Sequence, residues 1–451
     1  MTDFSNRLTV LQSVVCVAVF VIVGLSVAWR SLDYDWYFDD LHIVRPFSAA
    51  EIAGSFTGTW DPDDLETKGF RPGTVIFNDF RARVFGESVR AQRVFLIVLF
   101  AAYLVSLGAL ICRFGAPWWI GLIAGVLTLC SKDSFYHVVW ISDGIHLVPG
   151  LLFVAAAHLL LGYLDDGRRL PGAASGLLLL VALAAREDAL ALCPVVLLMG
   201  AAYLMFSDRP PAAYRRLASY GAFLVLTFLS FWLWRLAVVP RAPNFRVNLD
   251  VLLGPWYHFR WMVSLSGEFG TAQYAFLAAF VVLLAVAVRL PRDQRRHSLM
   301  WLVLAAIACL PGAVRARANL LLFPISFYAT FVALTVAPLA RTSRVAAACA
   351  LTVLLVAAGV SARASRLEQL SLHPMSANKL YWDWQSIYSD ARFSNIPPVR
   401  LERLKANLGR FGIVDGTFDF DRWQQSLRQR GRVGFIDDGD AFVPERYFLT
   451  P

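Results

Sequence analysis

Arg186, Glu187 and Asp188 interrupt the stretch LLLLVALAAREDALALCPVVLL, an apolar run too long for one membrane span and just long enough for two short ones. Charged side chains at that depth are costly, and where they occur they are usually paired, cavity-facing and functional. A guanidinium presents a fork of donors that matches phosphate or carboxylate oxygens, and the neighbouring carboxylates can accept protons. The plain structural alternative is an ion pair between Arg186 and Glu187.

Four further segments carry chemistry-bearing residues that hydropathy does not require. YDWYFDDLHIVRPF follows the first apolar run and holds Asp39, Asp40 and His42. On a helix Asp39 and His42 would share a face at i, i+3. The carboxylates could serve as a base, or Asp39 and His42 could hold a divalent ion such as Mg or Mn, although no ligand spacing fixes a metal; a solvated loop start is the plain reading. GFRPGTVIFNDFRARVFG sets Arg71 before Pro72, a favoured first helical residue. Val75, Phe77, Phe80, Val84 and Phe85 are then spaced for an amphipathic helix lying flat at an interface, with Arg81 and Arg83 expected to snorkel. SKDSFYHVVWISDGIHLVPG places Asp143 and His146 at the mouth of another apolar run. A lone histidine there is more often an interface residue than a base or ligand. PGAVRARANLLLFP adds Arg315 and Arg317, for which ordinary loop arginines are the plain reading.

The elements that must position these residues are membrane helices. The chain is 57% hydrophobic and 17% charged with a mean hydropathy of +0.55, values outside the range of ordinary soluble domains. Spans are expected near 10–29, 94–112, 117–130, 145–164, 173–186, 189–206, 219–239, 273–289, 299–312, 319–338 and 345–361. The first run is longer than a signal-peptide core and lacks a small-residue cleavage pattern, so it is expected to remain as an anchor.

Charge asymmetry orients them. Arg7, Arg113, Arg168, Arg169, Arg215, Arg216, the stretch 289–296, Arg341 and Arg344 fall on one side if the spans alternate, which predicts a cytoplasmic face. The opposite side receives the loop 30–93, the segment 131–144, the turn 186–188, the loop 240–271, the segment 315–319 and everything beyond 361. Trp29, Trp36, Trp234, Trp256 and Trp261 stand near span ends, as an interfacial belt requires. The chain therefore divides into a membrane domain, residues 1–361, and an extracytoplasmic domain of mixed helix and strand, residues 362–451.

Several function classes drop out. The net charge of +9 is spread over short clusters between apolar runs, which argues against nucleic acid. No Walker, Rossmann or EF-hand pattern is present. The six cysteines lie in or beside apolar segments without a CxxC, so neither a disulfide framework nor a zinc site is expected.

Taken in order, these segments resemble the GT-C glycosyltransferases that use polyprenyl- or dolichyl-phosphate sugars, in particular bacterial relatives of the transmembrane O-mannosyltransferases. The similarity runs over roughly the first 340 residues. It comprises the acidic pair Asp39 and Asp40, the motif Phe70, Arg71 and Pro72, the segment with His137, Trp140 and Ile141, the motif Arg186 and Glu187, and Arg317 ahead of Pro324. Gly73 stands where a leucine is usual, SDGIH replaces GR-x-D, and Arg186 replaces a lysine.

The resemblance implies an all-α polytopic enzyme of about eleven transmembrane helices. It would be an inverting hexosyl- or pentosyltransferase of the inner membrane, moving a sugar from a polyprenyl-phosphate carrier to a glycan, lipid or protein on the outer face. It further implies Asp39 as base with Asp40 as alternate, and Arg71, Asp143, His146, Arg186, Glu187 and Arg317 around the donor. A secondary transporter or lipid flippase is the competing class, but its broken helices in two repeated halves are not evident. An O-antigen polymerase or ligase should carry a dominant basic external loop, whereas the largest one here opens acidic.

Overall fold

The computed structural model describes residues 8–29, 31–33, 44–60, 69–86, 88–131, 136–207, 209–239, 250–264, 271–313, 320–338, 345, 348, 352–365, 413–414 and 417–418. Among these the chain is mostly helical. In order come α1 (Val10–Ala28), α2 (Ala49–Gly54), α3 (Pro72–Phe85), α4 (Val89–Arg113), α5 (Trp118–Cys130), the single turn α6 (Tyr136–Val139), α7 (Leu147–Asp166), α8 (Arg169–Ala185) and α9 (Leu192–Phe206). Then follow α10 (Pro211–Val238), α11 (Asp250–Ser264), α12 (Thr271–Arg289), α13 (Arg292–Ala308), α14 (Leu322–Val336) and α15 (Thr352–Ser365). Two dipeptide strands, β1 (Ile413–Val414) and β2 (Thr417–Phe418), pair antiparallel.

Five helical segments are long and apolar enough to cross a membrane: Val10–Ala28, Val89–Arg113, Ser142–Asp166, Glu187–Phe206 and Pro211–Val238. Shorter apolar helices, among them α5, α8 and α14, pack between them. α14 is the centre of the bundle. Every residue from Leu322 to Ala333 is buried, and the helix lies against α13 and α5. A helix apolar on all sides is stable only when neighbours cover all of it.

α1 and α10 show the opposite pattern. Val10, Leu11 and Ile22 on the first, and Leu226 and Leu233 on the second, are exposed, which suits hydrocarbon and not water. Small residues bring helices close, as bundles in lipid require. A Cβ on Gly121 of α5 would stand 2.7 Å from the Cα of Gly108 on α4.

α7 and α8 form a tight antiparallel hairpin through Gly167, whose φ of +73° is left-handed and favours glycine. Near that turn, Asp165 gathers three partners. Arg113 at the end of α4 reaches its Oδ2 at 2.9 Å, Arg209 its Oδ1 at 2.8 Å, and the Tyr203 hydroxyl donates to it at 2.9 Å. The network ties α4, α7, α9 and the α9–α10 connection at one end of the bundle. Arg71, Asp143, His146, Arg186 and Glu187 collect at the other.

The segment 44–60 folds back on α3. Ser48 caps α2 through a reciprocal capping box with Glu51. Phe47, Trp60 and Val75 make a small satellite core. Trp234 donates its indole N–H to the Phe56 carbonyl at 3.2 Å, fastening this segment to the end of α10.

Two expectations about α3 need correction. Val75 is buried in the satellite core, so the exposed apolar stripe is Ile76, Phe80 and Val84, at helical spacing of four. Arg81 does not snorkel. It is fully buried and donates to the Ile141 carbonyl at 2.7 Å, because α3 docks against the turn that follows α6. Arg83 is half-exposed and pairs with Asp79 at 2.8 Å.

Candidate functional site

α8 ends at Arg186, whose backbone turns extended before a 3-10 turn over Glu187–Ala191 leads into α9. The break occurs where three charges leave an apolar helix, and it turns them all toward the same end of the bundle. The start of α3 docks on this break. Thr74 donates to the Ala185 carbonyl at 2.7 Å, and the Phe70 amide donates to Glu187 Oε1 at 3.0 Å. Pro72 at the first helical position sets the approach.

Gly73 makes the contact possible, since a Cβ there would stand 2.8 Å from the Ala185 Cα. Gly73 is thus the residue that lets the two backbones meet.

The expected alternative pairing of Arg186 with Glu187 is not formed. Arg186 Nε binds Asp188 Oδ1 at 2.9 Å, and Glu187 Oε1 accepts from Arg235 Nε at 2.6 Å. Arg235 comes from the last turn of α10 and lies over the Trp232 ring. Arg71 is within electrostatic reach of Asp188.

A second set of groups meets Asp188 from the α5–α7 connection. His146 places Nδ1 3.3 Å from Asp188 Oδ2 and Nε2 3.2 Å from Asp143 Oδ1. Asp143 Oδ2 in turn stands 3.0 Å from His137 Nδ1. The contacts to Asp143 are close but off the best hydrogen-bond direction. The two imidazoles lie 5.1 Å apart between centroids. An unbroken line of titratable groups therefore runs His137, Asp143, His146, Asp188, Arg186. Its inner members are sealed: the side chains of His137, Asp143 and His146 are at most 2% exposed, while Asp188 is 17% and Arg186 12% exposed.

Two buried arginines hold this line in place. Arg93 Nε donates to the Val139 carbonyl at 3.1 Å and Arg81 to that of Ile141, so the loosely wound chain between α6 and α7 has its carbonyls satisfied. Gly144 lets the turn press on α4, where a Cβ would meet Leu96 Cδ2 at 2.4 Å.

Of the residues expected from sequence, the structure thus brings Asp143, His146, Arg186 and Glu187 together, with Arg71 beside them. It adds His137, Asp188 and Arg235. His137 appeared in the sequence only as part of a motif, and Asp188 only as one member of a charged triplet. Arg235 is legible as an arginine within an apolar run, an arrangement that usually has a partner. Asp39, Asp40, His42, Arg315 and Arg317 lie outside the described residues. Among the described residues no three His, Cys, Asp or Glu side chains are arranged to hold a metal ion.

Chemically, the arrangement offers guanidiniums that can take a phosphate and a carboxylate–imidazole line that can accept or release a proton. The chain matches no protein-family model and no curated protein in sequence.

Proposed function

We propose that the chain is an inverting membrane glycosyltransferase of GT-C type, which moves a sugar from a polyprenyl-phosphate carrier to a glycan, lipid or protein acceptor at the extracytoplasmic face. The observation that carries this reading is the meeting of Arg186, Asp188, His146 and Asp143 with the Arg71 segment at one end of an apolar helical bundle. In this reading about eleven helices span the membrane, the N-terminus is cytoplasmic, and the polar end of the bundle faces outward with the α+β tail.

A lipid-phosphate sugar carries its own leaving group, so no nucleotide is needed at such a site. The reaction needs cations to hold the departing phosphate and a base for the acceptor hydroxyl. Arg186 and Arg71 supply the first. Asp39, with Asp40 as alternate, supplies the second by the family resemblance. A divalent Mg or Mn ion held by Asp39 and His42 would be compatible with the reaction.

The test is reconstitution in lipid with polyprenyl-phosphate sugars and an acceptor. Transfer with inversion is expected. Asp39→Asn should lower the rate by roughly 10²- to 10⁴-fold with little change in donor affinity, and Arg186→Lys should weaken donor binding by removing the planar fork. A second reading is favoured by the buried His137-to-Asp188 line, which would also suit a proton-coupled transporter. Proton-driven solute uptake into sealed vesicles, without sugar transfer, would select it.

A further inference from the structure

Among the described residues, with both histidines neutral, the carboxylates of Asp143, Glu187 and Asp188 stand beside the guanidiniums of Arg71, Arg186 and Arg235, while Arg81 and Arg93 are buried on the turn that carries His137 and Asp143. A phosphate arriving at Arg186 disturbs this set twice. It brings negative charge into a largely buried site, and it draws the guanidinium away from Asp188, to which Nε is bound at 2.9 Å. A buried carboxylate deprived of its partner is costly.

One group is placed to respond. His146 lies between Asp143 at 3.2 Å and Asp188 at 3.3 Å, one carboxylate to each ring nitrogen. Among the described residues the other charged or titratable groups around it are His137, across Asp143, Arg186, bound to Asp188, Arg71, within electrostatic reach of Asp188, and Arg81 and Arg93, which hold the carbonyls of Ile141 and Val139. While Arg186 stays on Asp188 that carboxylate is shared between the guanidinium and the imidazole, and turning of Arg186 to a phosphate leaves it to His146.

Building on the glycosyltransferase reading, we propose that His146 takes a proton from solvent as the lipid phosphate docks on Arg186, and passes it through Asp188 to the phosphate as the sugar leaves. In-line displacement puts the acceptor and the leaving group on opposite sides of the anomeric carbon. Groups beside the phosphate-holding arginine therefore serve the leaving group.

The bond from the anomeric carbon to the phosphate oxygen breaks with its electron pair on that oxygen. Asp188 gives a proton to the phosphate and receives one from His146 Nδ1. The polyprenyl phosphate departs as a monoanion and His146 returns to neutral. The acceptor hydroxyl loses its own proton separately, to the Asp39 carboxylate, as its oxygen bonds to the anomeric carbon. A phosphate monoester takes up its second proton near about 6, so the leaving group can accept a proton close to neutral pH. His146 acts through Asp188 and is thus a positioning and proton-holding residue.

The test is calorimetric titration of the full-length protein in nanodiscs with methyl farnesyl phosphate, a diester that carries the donor's single negative charge and takes up no proton itself near neutral pH, in buffers of differing ionisation enthalpy. Wild type is expected to take up about one more proton per ligand than His146→Gln, with binding itself retained in the variant. In the transfer assay His146→Gln should lower kcat and shift the acidic limb of the pH profile, with KM little changed. Equal proton uptake in the two proteins overturns the proposal. If His146→Gln does not fold, Asp143→Asn keeps the imidazole and withdraws one carboxylate; the midpoint of uptake should then fall by about one pH unit, and an unmoved midpoint overturns the proposal. Failure of wild type to bind methyl farnesyl phosphate overturns the lipid-phosphate reading and the relay with it, whereas binding with uptake unchanged by either substitution removes the relay alone.

Discussion

Gly73 and Ala185 meet backbone to backbone: a Cβ on Gly73 would stand 2.8 Å from the Ala185 Cα and 3.0 Å from its nitrogen. Neither atom belongs to a flexible side chain, so the clash is relieved only by moving α3 away from the break before Arg186. That movement would stretch the Thr74 bond to Ala185 and the Phe70 bond to Glu187.

Gly73→Ala should therefore destabilise the protein by about 1–3 kcal/mol, the usual range for overpacking a close contact, and should weaken donor binding. Gly162→Ala is the control. That glycine lies inside α7 with nothing within 4 Å of the added carbon, and alanine there should be neutral or stabilising by about 0.5–1 kcal/mol. Melting temperatures of the two variants in one detergent decide the matter, and equal values for both would mean that α3 has slack at the contact.

The Glu187–Arg235 pair makes a second prediction. At 2.6 Å, with 18% and 11% of the side chains exposed, it is more buried than a surface bridge, and removing one partner of a buried pair costs about 3–5 kcal/mol because the other is stranded. Arg235→Leu should approach that loss. Glu187→Gln keeps an oxygen for the Phe70 amide and should cost less. The double substitution should recover part of the Arg235→Leu loss, and simple additivity in the cycle would show that the pair is not coupled.

Much of the helical framework was legible in sequence because apolar run length is a direct consequence of hydrocarbon thickness and helix rise. α1, α5 and α10 begin or end within a few residues of the expected spans, except that α10 opens earlier, at Pro211, where a proline suits the first turn. The pairing at the site was not legible. Arg186, Glu187 and Asp188 are consecutive, and which carboxylate faces the guanidinium depends on how the 3-10 turn rotates them, a property of the break and not of residue type. Arg93 and Arg81 escaped for a related reason: their acceptors are the carbonyls of Val139 and Ile141, which any residue would provide. Arg235 acquires meaning only when α10 is packed beside the α8–α9 break.

Glu51 gives a pH-dependent prediction outside the bundle. Burial raises its pKa, but hydrogen bonds from Arg45 and from the amide and hydroxyl of Ser48 outweigh it and hold the carboxyl at about 2. A depressed folded-state value means that the contribution to stability is complete above the unfolded value near 4.5 and is lost as pH falls toward 2. The Arg45 pair is part-exposed, so its worth is about 0–1 kcal/mol. Glu51→Gln should cost that amount at pH 7, and the difference from wild type should shrink steadily below pH 4.5. A gap that stays constant across the acid titration would mean the cap acts through geometry alone.

The final prediction concerns orientation, which follows from where arginines collect. The end of the bundle with Arg113, Arg209 and Arg216 also carries Arg168 and Arg169 at the α7–α8 turn, while the opposite end holds the buried pairs of the candidate site. By the charge rule for short loops the first end should be cytoplasmic. Thr57, exposed in the segment beside α3, and Arg168, exposed at the α7–α8 turn, should then lie on opposite sides of the membrane. Single-cysteine labelling suits the question because Cys16, Cys112, Cys130 and Cys309 are buried and Cys193 is partly so. With Cys349 changed to serine, a membrane-impermeant maleimide should label Thr57→Cys on intact cells and Arg168→Cys only after permeabilisation. The reverse pattern would place the candidate site in the cytoplasm, where a carrier-linked sugar on the outer leaflet could not reach it.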